Sequence, residues 1–118
     1  MVLELHYGDE RLLLAGDLEQ QADQALLGWG GRLRAAVLKV PHHGSATSTQ
    51  PAFAEAVRPR IALISVGEGN RFGHPDLAVV DRLGRGGAQV YRTDWGGALL
   101  LRTDGRQTEL RQMVAVQR

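Results

Sequence analysis

The strongest constraint on what this chain can fold into is its alternation between two hydrophobic periods. Strand-like apolar runs occur at Val2, Leu3 and Leu5, and at residues 11–14, 35–40, 61–66, 90–92 and 98–101. Between them, apolar residues recur at helical spacing. Leu18, Ala22, Ala25, Leu26 and Trp29 form one stripe, stopped by Gly28, Gly30 and Gly31. Phe53, Ala54 and Val57 form a second between Pro51 and Pro59, and Leu77, Val80 and Leu83 a third, closed by Gly86 and Gly87. Pro75 fits the first position of that third helix, with Asp76 close to its positive end. Residues 7–10 suit a tight turn in an opening hairpin, residues 93–97 a second hairpin joining runs 90–92 and 98–101, and Asp104-Gly105 a turn into a last strand at about 108–116. The predicted order is ββαβαβαβββ, an α/β layering with some parallel pairing and antiparallel edges.

Composition closes off several chemistries. The chain has 118 residues, enough for one globular domain, and no cysteine, so disulfides, thiolate metal sites and cysteine nucleophiles are excluded. Any metal must be held by His and carboxylate side chains. No apolar run approaches the roughly 20 residues of a membrane-spanning helix. The first six residues carry Glu4 and His6 and no basic segment, unlike a signal or transit peptide. Residues 1–56 hold 4 basic and 7 acidic side chains, and residues 57–118 hold 10 basic and 6 acidic ones. That excess is spread over many segments, so it reads as a solvated surface ahead of a field for a phosphate-bearing substrate.

Three of the four histidines stand where layered α/β folds place ligand sites, in loops after strands or before helices. His42 and His43 follow the apolar run ending at Val40-Pro41; in an extended segment their side chains would point to opposite sides. One would then ligate a metal and its neighbour contact substrate or orient the first. Gly44 permits close backbone approach, and Ser45 offers a hydroxyl at the same point. His74 reads either as the residue before Pro75 that caps a helix or as a substrate or proton-transfer group. Asp17 ends a strand; with Gln20 three residues on, spacing alone reads it first as a helix cap, and second as a carboxylate able to bridge two cations.

Residues 13–19 (LLAGDLE), 37–45 (VLKVPHHGS), 64–67 (ISVG), 70–75 (NRFGHP) and 90–94 (VYRTD) together resemble the C-terminal metallo-β-lactamase-like domain of ComEC-type DNA-internalization competence proteins. The pairing of GDLE with PHHGS at this spacing, followed by GHP and YRTD, carries the resemblance over essentially the whole chain. It implies an αββα sandwich with a two-metal hydrolase site, of which residues 1–118 are the second half: a mixed sheet with helices on its outer face. Asp17 is implied as the metal-bridging carboxylate, His43 as the late histidine ligand, His42 and His74 as catalytic residues at the substrate phosphate and the rim, and Ser45 as a substrate contact. Zinc or manganese is the implied cofactor. The implied role is degradation of the non-imported DNA strand in a parent protein of the cytoplasmic membrane, with this domain on the outer side and DNA as substrate.

One departure sets a limit. The superfamily carries an HxHxDH cluster upstream of the bridging aspartate, and this chain has none. Asp17 and His43 supply two ligands where a catalytic zinc takes three from protein, so the chain alone is expected to be inactive. A second reading keeps the fold and changes the substrate to another phosphate ester, such as a cell-wall phosphocholine ester. A third is a non-catalytic half domain that pairs its open strand edge with the missing N-terminal half or with a second copy.

Overall fold

The computed structural model describes residues 2–16, 25–28, 33–67, 69–71 and 73–112. Five strands form one mixed sheet in the order β1-β2-β3-β4-β5: β1 (Val2–Tyr7), β2 (Glu10–Ala15), β3 (Val37–Lys39), β4 (Ile61–Ile64) and β5 (Gln89–Arg92). β1 pairs antiparallel with β2, and β2 through β5 run parallel. A separate antiparallel pair, β6 (Leu99–Thr103) and β7 (Thr108–Gln112), follows. The α/β expectation holds, with a mixed sheet and helices.

Leu13, Leu38, Ala62 and Val90 stand side by side in register across β2 to β5. Helix α1 (Pro51–Val57) and helix α2 (Leu77–Arg85) cover this face. Phe53 and Val57 of α1 and Val79 and Leu83 of α2 join Leu13, Leu38, Ala62 and Ile64 in one buried cluster. The next row, Leu14, Lys39, Leu63 and Tyr91, belongs to the opposite face and is only half-buried. On β1, Leu3 and Leu5 pair with Leu14 and Leu12 and share that second face; they and Tyr7 are exposed. The helices therefore cover one side of the sheet.

The opening hairpin, both helices in residues 51–85 and the strands through β5 stand where the sequence pattern puts them. Two expectations change. β5 and β6 do not pair; residues Thr93–Gly96 form a short helical turn, called α3, that takes the chain out of the first sheet into the second. The cause is the Thr93 hydroxyl, which accepts from Val66 N–H (2.8 Å) and donates to Val66 O (2.9 Å), drawing the chain toward the loop after β4 instead of back along β5. Pro75 is not the first residue of α2: Asp76 is its N-cap, its carboxylate accepting from Ala78 N–H at 2.9 Å, and the helix begins at Leu77. The final strand is described to Gln112, and its expected continuation to 116 lies outside the described residues. Most of the predicted helix at 18–29 lies outside them too, with residues 25–28 helical. No helix among the described residues is long and apolar enough to cross a membrane.

Candidate metal-binding rim

Because β2, β3, β4 and β5 are parallel, the loops that follow them emerge on one edge of the sheet, where open α/β sheets gather ligands. The loop after β3 is a 3-10 turn, Pro41–Gly44, in which His42 (φ 50, ψ 43) and His43 (φ 55, ψ 23) both take the left-handed conformation. Such a conformation costs a non-glycine residue about 1–2 kcal/mol, so local preference does not produce it. Tertiary hydrogen bonds do. Val40 N–H donates to Leu63 O (2.8 Å), His42 N–H to Gly16 O (2.8 Å), Ser45 N–H to His42 O (2.9 Å), and the buried Ser48 hydroxyl to Pro41 O (3.2 Å).

This backbone corrects the expectation of opposed side chains. That expectation assumed an extended segment; in the left-handed turn the His42 and His43 rings lie 6.3 Å apart. The His74 ring lies 5.7 Å from His42 and 6.5 Å from His43, stacked on the latter at 20°. Three histidines from two loops thus share one rim. His43 Nδ1 lies 2.6 Å from Ser65 O. A carbonyl only accepts, so Nδ1 carries the proton and the lone pair of the neutral ring is on Nε2. That arrangement is the one found in metal-ligating histidines, whose second nitrogen donates to a carbonyl or carboxylate.

His74 does not cap α2, since Asp76 does. It is held by Asn70, whose side chain donates to His74 O (2.7 Å) and accepts from His74 N–H (3.0 Å). The His74–Pro75 peptide is cis. Pro75 then packs on the histidine turn: a Cβ on Gly44 would meet Pro75 Cβ at 2.6 Å, and Asp76 N–H donates to Gly44 O at 2.9 Å. Gly44 has φ +80, so a close approach and a left-handed backbone both select glycine there. Ser45 is buried, and its hydroxyl is bonded to the Thr47 hydroxyl (2.9 Å) and accepts from Thr47 N–H (3.2 Å). Asp17 lies outside the described residues; its neighbour Gly16 receives the His42 N–H bond at the same rim.

Two features went unread in the sequence. One is the Asn70 clamp. The other is at the end of β5, where Arg92 makes a two-bond pair with Asp94 (3.0 and 2.8 Å) and its guanidinium lies 3.7 Å from the Trp95 ring centroid. Their signal was present as polar residues placed directly after strand runs, the same signal that marked the histidines. Among the described residues, no three His, Asp or Glu side chains are grouped to hold a metal ion. The described rim therefore fits a metal in part: His43 Nε2 is a preorganised donor, and further ligands are required.

Comparison with known proteins agrees with this architecture. The family described as the metallo-beta-lactamase superfamily matches residues 1–68. The chain is 38% identical over 106 residues to ComE operon protein 3 of Bacillus subtilis, covering 90% of this chain and 14% of that protein. It is 41% identical over 99 residues to competence protein ComA of Neisseria gonorrhoeae, covering 83% of this chain and 14% of that protein. It is 34% identical over 105 residues to recombination protein 2 of Haemophilus influenzae, covering 89% and 13%. The chain thus spans about one seventh of the length of these curated relatives. No solved structure gives a significant match. With the family match extending over the opening hairpin, the histidine turn and β4, the chain belongs to the metallo-β-lactamase superfamily.

Proposed function

We propose that residues 1–118 are the second half of a divalent-metal hydrolase domain whose parent protein serves DNA uptake, and that the domain degrades the strand that is not imported. Similarity to proteins named for competence and recombination supports the DNA-uptake role. Superfamily membership supports a divalent metal. The single observation that carries the site is the bond from His43 Nδ1 to Ser65 O, which orients Nε2 as a ligand at the sheet's C-terminal rim. His43 and Asp17 would hold zinc or manganese, together with ligands from an HxHxDH-bearing segment that this chain lacks. When bound, such a metal activates water near neutral pH and stabilises charge on a phosphodiester. His42 and His74, within 5.7 Å of each other, are suited to contact the phosphate, and the buried Ser45 supports the turn beneath them. Another phosphate ester as substrate remains the alternative.

Metal retention after dialysis against zinc or manganese tests the ligand assignment. We expect His43→Ala to reduce retained metal about tenfold or more, a loss at least as large as that caused by removing an outer-shell partner. Retention unchanged in His43→Ala would remove His43 from the ligand set. A 5′-labelled single strand should survive incubation with the chain alone and be cut when the upstream HxHxDH segment is supplied.

A second reading is favoured by one observation. Among the described residues, β1 pairs only with β2, and the adjoining face exposes Leu3, Leu5 and Tyr7. An open edge beside an apolar face suits pairing with the missing N-terminal half or with a second copy. Sedimentation should show self-association of the isolated chain; a clean monomer at high concentration would count against it.

A further inference from the structure

We infer that Trp95 is a stacking platform for one nucleobase of the substrate strand, placed beside the histidine rim. The inference rests on the nucleic-acid reading above and adds a residue to which that reading assigns no role. Trp95 is 49% exposed, and the Arg92 guanidinium lies over its ring, 3.7 Å from the centroid. Arg92 is itself fixed, its two bonds to Asp94 being made by side chains only 12% and 10% exposed. The indole is therefore backed by a rigid, charge-neutral bed. A ring held in place before binding loses little conformational entropy when a base stacks on it.

The platform is tied to the catalytic rim. His43 is anchored on Ser65 O, and the hydroxyl of Thr93, the first residue of α3, accepts from Val66 N–H and donates to Val66 O. Ser65 and Val66 are consecutive, and Trp95 lies two residues beyond Thr93 on the same helical turn. Among the described residues, Tyr7 is also strongly exposed, but it ends β1 opposite Glu10 at the start of β2, at the far end of the sheet from this rim.

Scale argues for a base and against a protein. A buried aromatic ring contributes about 150–250 Å², whereas a stable protein interface needs about 800 Å² from each partner. A single indole, preceded in the chain by Asp94 and followed by Gly96 and Gly97, matches the former.

The test uses the 118-residue chain in EDTA, so that nothing is cut, and fluorescence anisotropy with two labelled strands. One is a single-stranded oligothymidylate of about a dozen nucleotides, long enough for one binding site; the other is an abasic strand with the same phosphates. The chain should prefer the strand with bases, and Trp95→Ala should weaken that strand about tenfold, the size of one base–aromatic stack, leaving the abasic strand unaffected. Trp95→Leu, which retains apolar cover over Arg92 but has no ring, should behave like Trp95→Ala, and Trp95→Phe should keep most of the affinity. Equal binding of oligothymidylate by the wild-type chain and Trp95→Leu overturns the platform and leaves the nucleic-acid reading standing. Loss of both strands to the same extent in Trp95→Leu also overturns it, since the ring would then only support the fold. Failure of the wild-type chain to bind either strand overturns both.

Discussion

The two ends of the five-stranded sheet are built on different principles. At the end where β2 to β5 finish, order comes from bonds between loops: His42 to Gly16, His43 to Ser65, Asp76 to Gly44, and Thr93 to Val66. Two consecutive histidines are held there in a backbone conformation that local preference opposes. At the opposite end, a charge pair and a turn contact add to strand-to-strand bonds such as Ala36 N–H to Arg11 O (2.9 Å) and Arg60 N–H to Ala36 O (2.9 Å). The Glu10 side chain, 7% exposed, receives two bonds from Arg60 (2.9 and 3.0 Å), and the β1–β2 turn meets the β6–β7 turn where Asp9 N–H donates to Gly105 O at 2.6 Å. The first end carries strain, sustained by several independent contacts, where the site is proposed. The second holds a single left-handed non-glycine residue among those described, Arg58 (φ 45) at the end of α1, and serves stability.

The largest effect is expected from breaking the strained end. Gly44→Ala places a Cβ at 2.6 Å from Pro75 Cβ and 3.2 Å from its Cα, on a backbone with φ +80. Overpacking and left-handed strain together should cost about 2–4 kcal/mol, read as a lower denaturant midpoint. Metal retention should fall with it. Gly67→Ala, in a neighbouring loop where an added Cβ meets nothing within 4 Å, is the control and should stay within about 0.5 kcal/mol. If both substitutions behave alike, the interlocking of the two loops is not what holds the rim.

The opposite end should give a smaller effect with a different signature. Arg60→Ala leaves the buried Glu10 carboxylate without its partner; because Arg60 is 63% exposed and screened by water, the expected cost is about 1–2 kcal/mol, below that of a fully buried pair. Metal retention should not change. A loss of metal in Arg60→Ala would show that the two ends are coupled, against the separation drawn here.

The smallest effect is pH-dependent. Asp104, in the β6–β7 turn that meets Gly8, is held below the usual carboxylate range by the backbone N–H of Gln107 first and of Arg106 second. Its folded value is lowered, so its contribution is present above the unfolded carboxylate value of about 3.9 and is lost as pH falls through the lower folded value. Thermal melts at about pH 5 and about pH 2 should show a slightly steeper acid loss in the wild-type chain than in Asp104→Asn. Identical slopes would mean that the turn's carboxylate contributes nothing as an anion.

Much of the fold was legible because it is local. Alternating apolar residues and a Gly-Asp turn specify the opening hairpin, and Pro51 and Asp76 mark helix starts through their own chemistry. The destination of β6 was not legible. A Gly-rich stretch between two apolar runs reads as a hairpin, yet the Thr93 hydroxyl finds both the N–H and the O of Val66, a residue 27 positions away, and the turn becomes helical. Likewise, Asn70 reads as a loop polar residue until His74 is seen between its two amide atoms.

By itself the sequence determined which residues are available for chemistry: no thiol, and histidines in loops that follow or precede regular elements. It also determined the α/β alternation, because hydrophobic period and turn chemistry are properties of neighbouring residues. Only the tertiary structure decided that His42, His43 and His74 stand within 6.5 Å of one another and that His43 presents Nε2. Those facts follow from the parallel order of β2 to β5, which brings loops from distant parts of the chain to one edge. They follow also from hydrogen bonds strong enough together to override the local preference of two histidines, and no window of sequence contains both partners of such bonds.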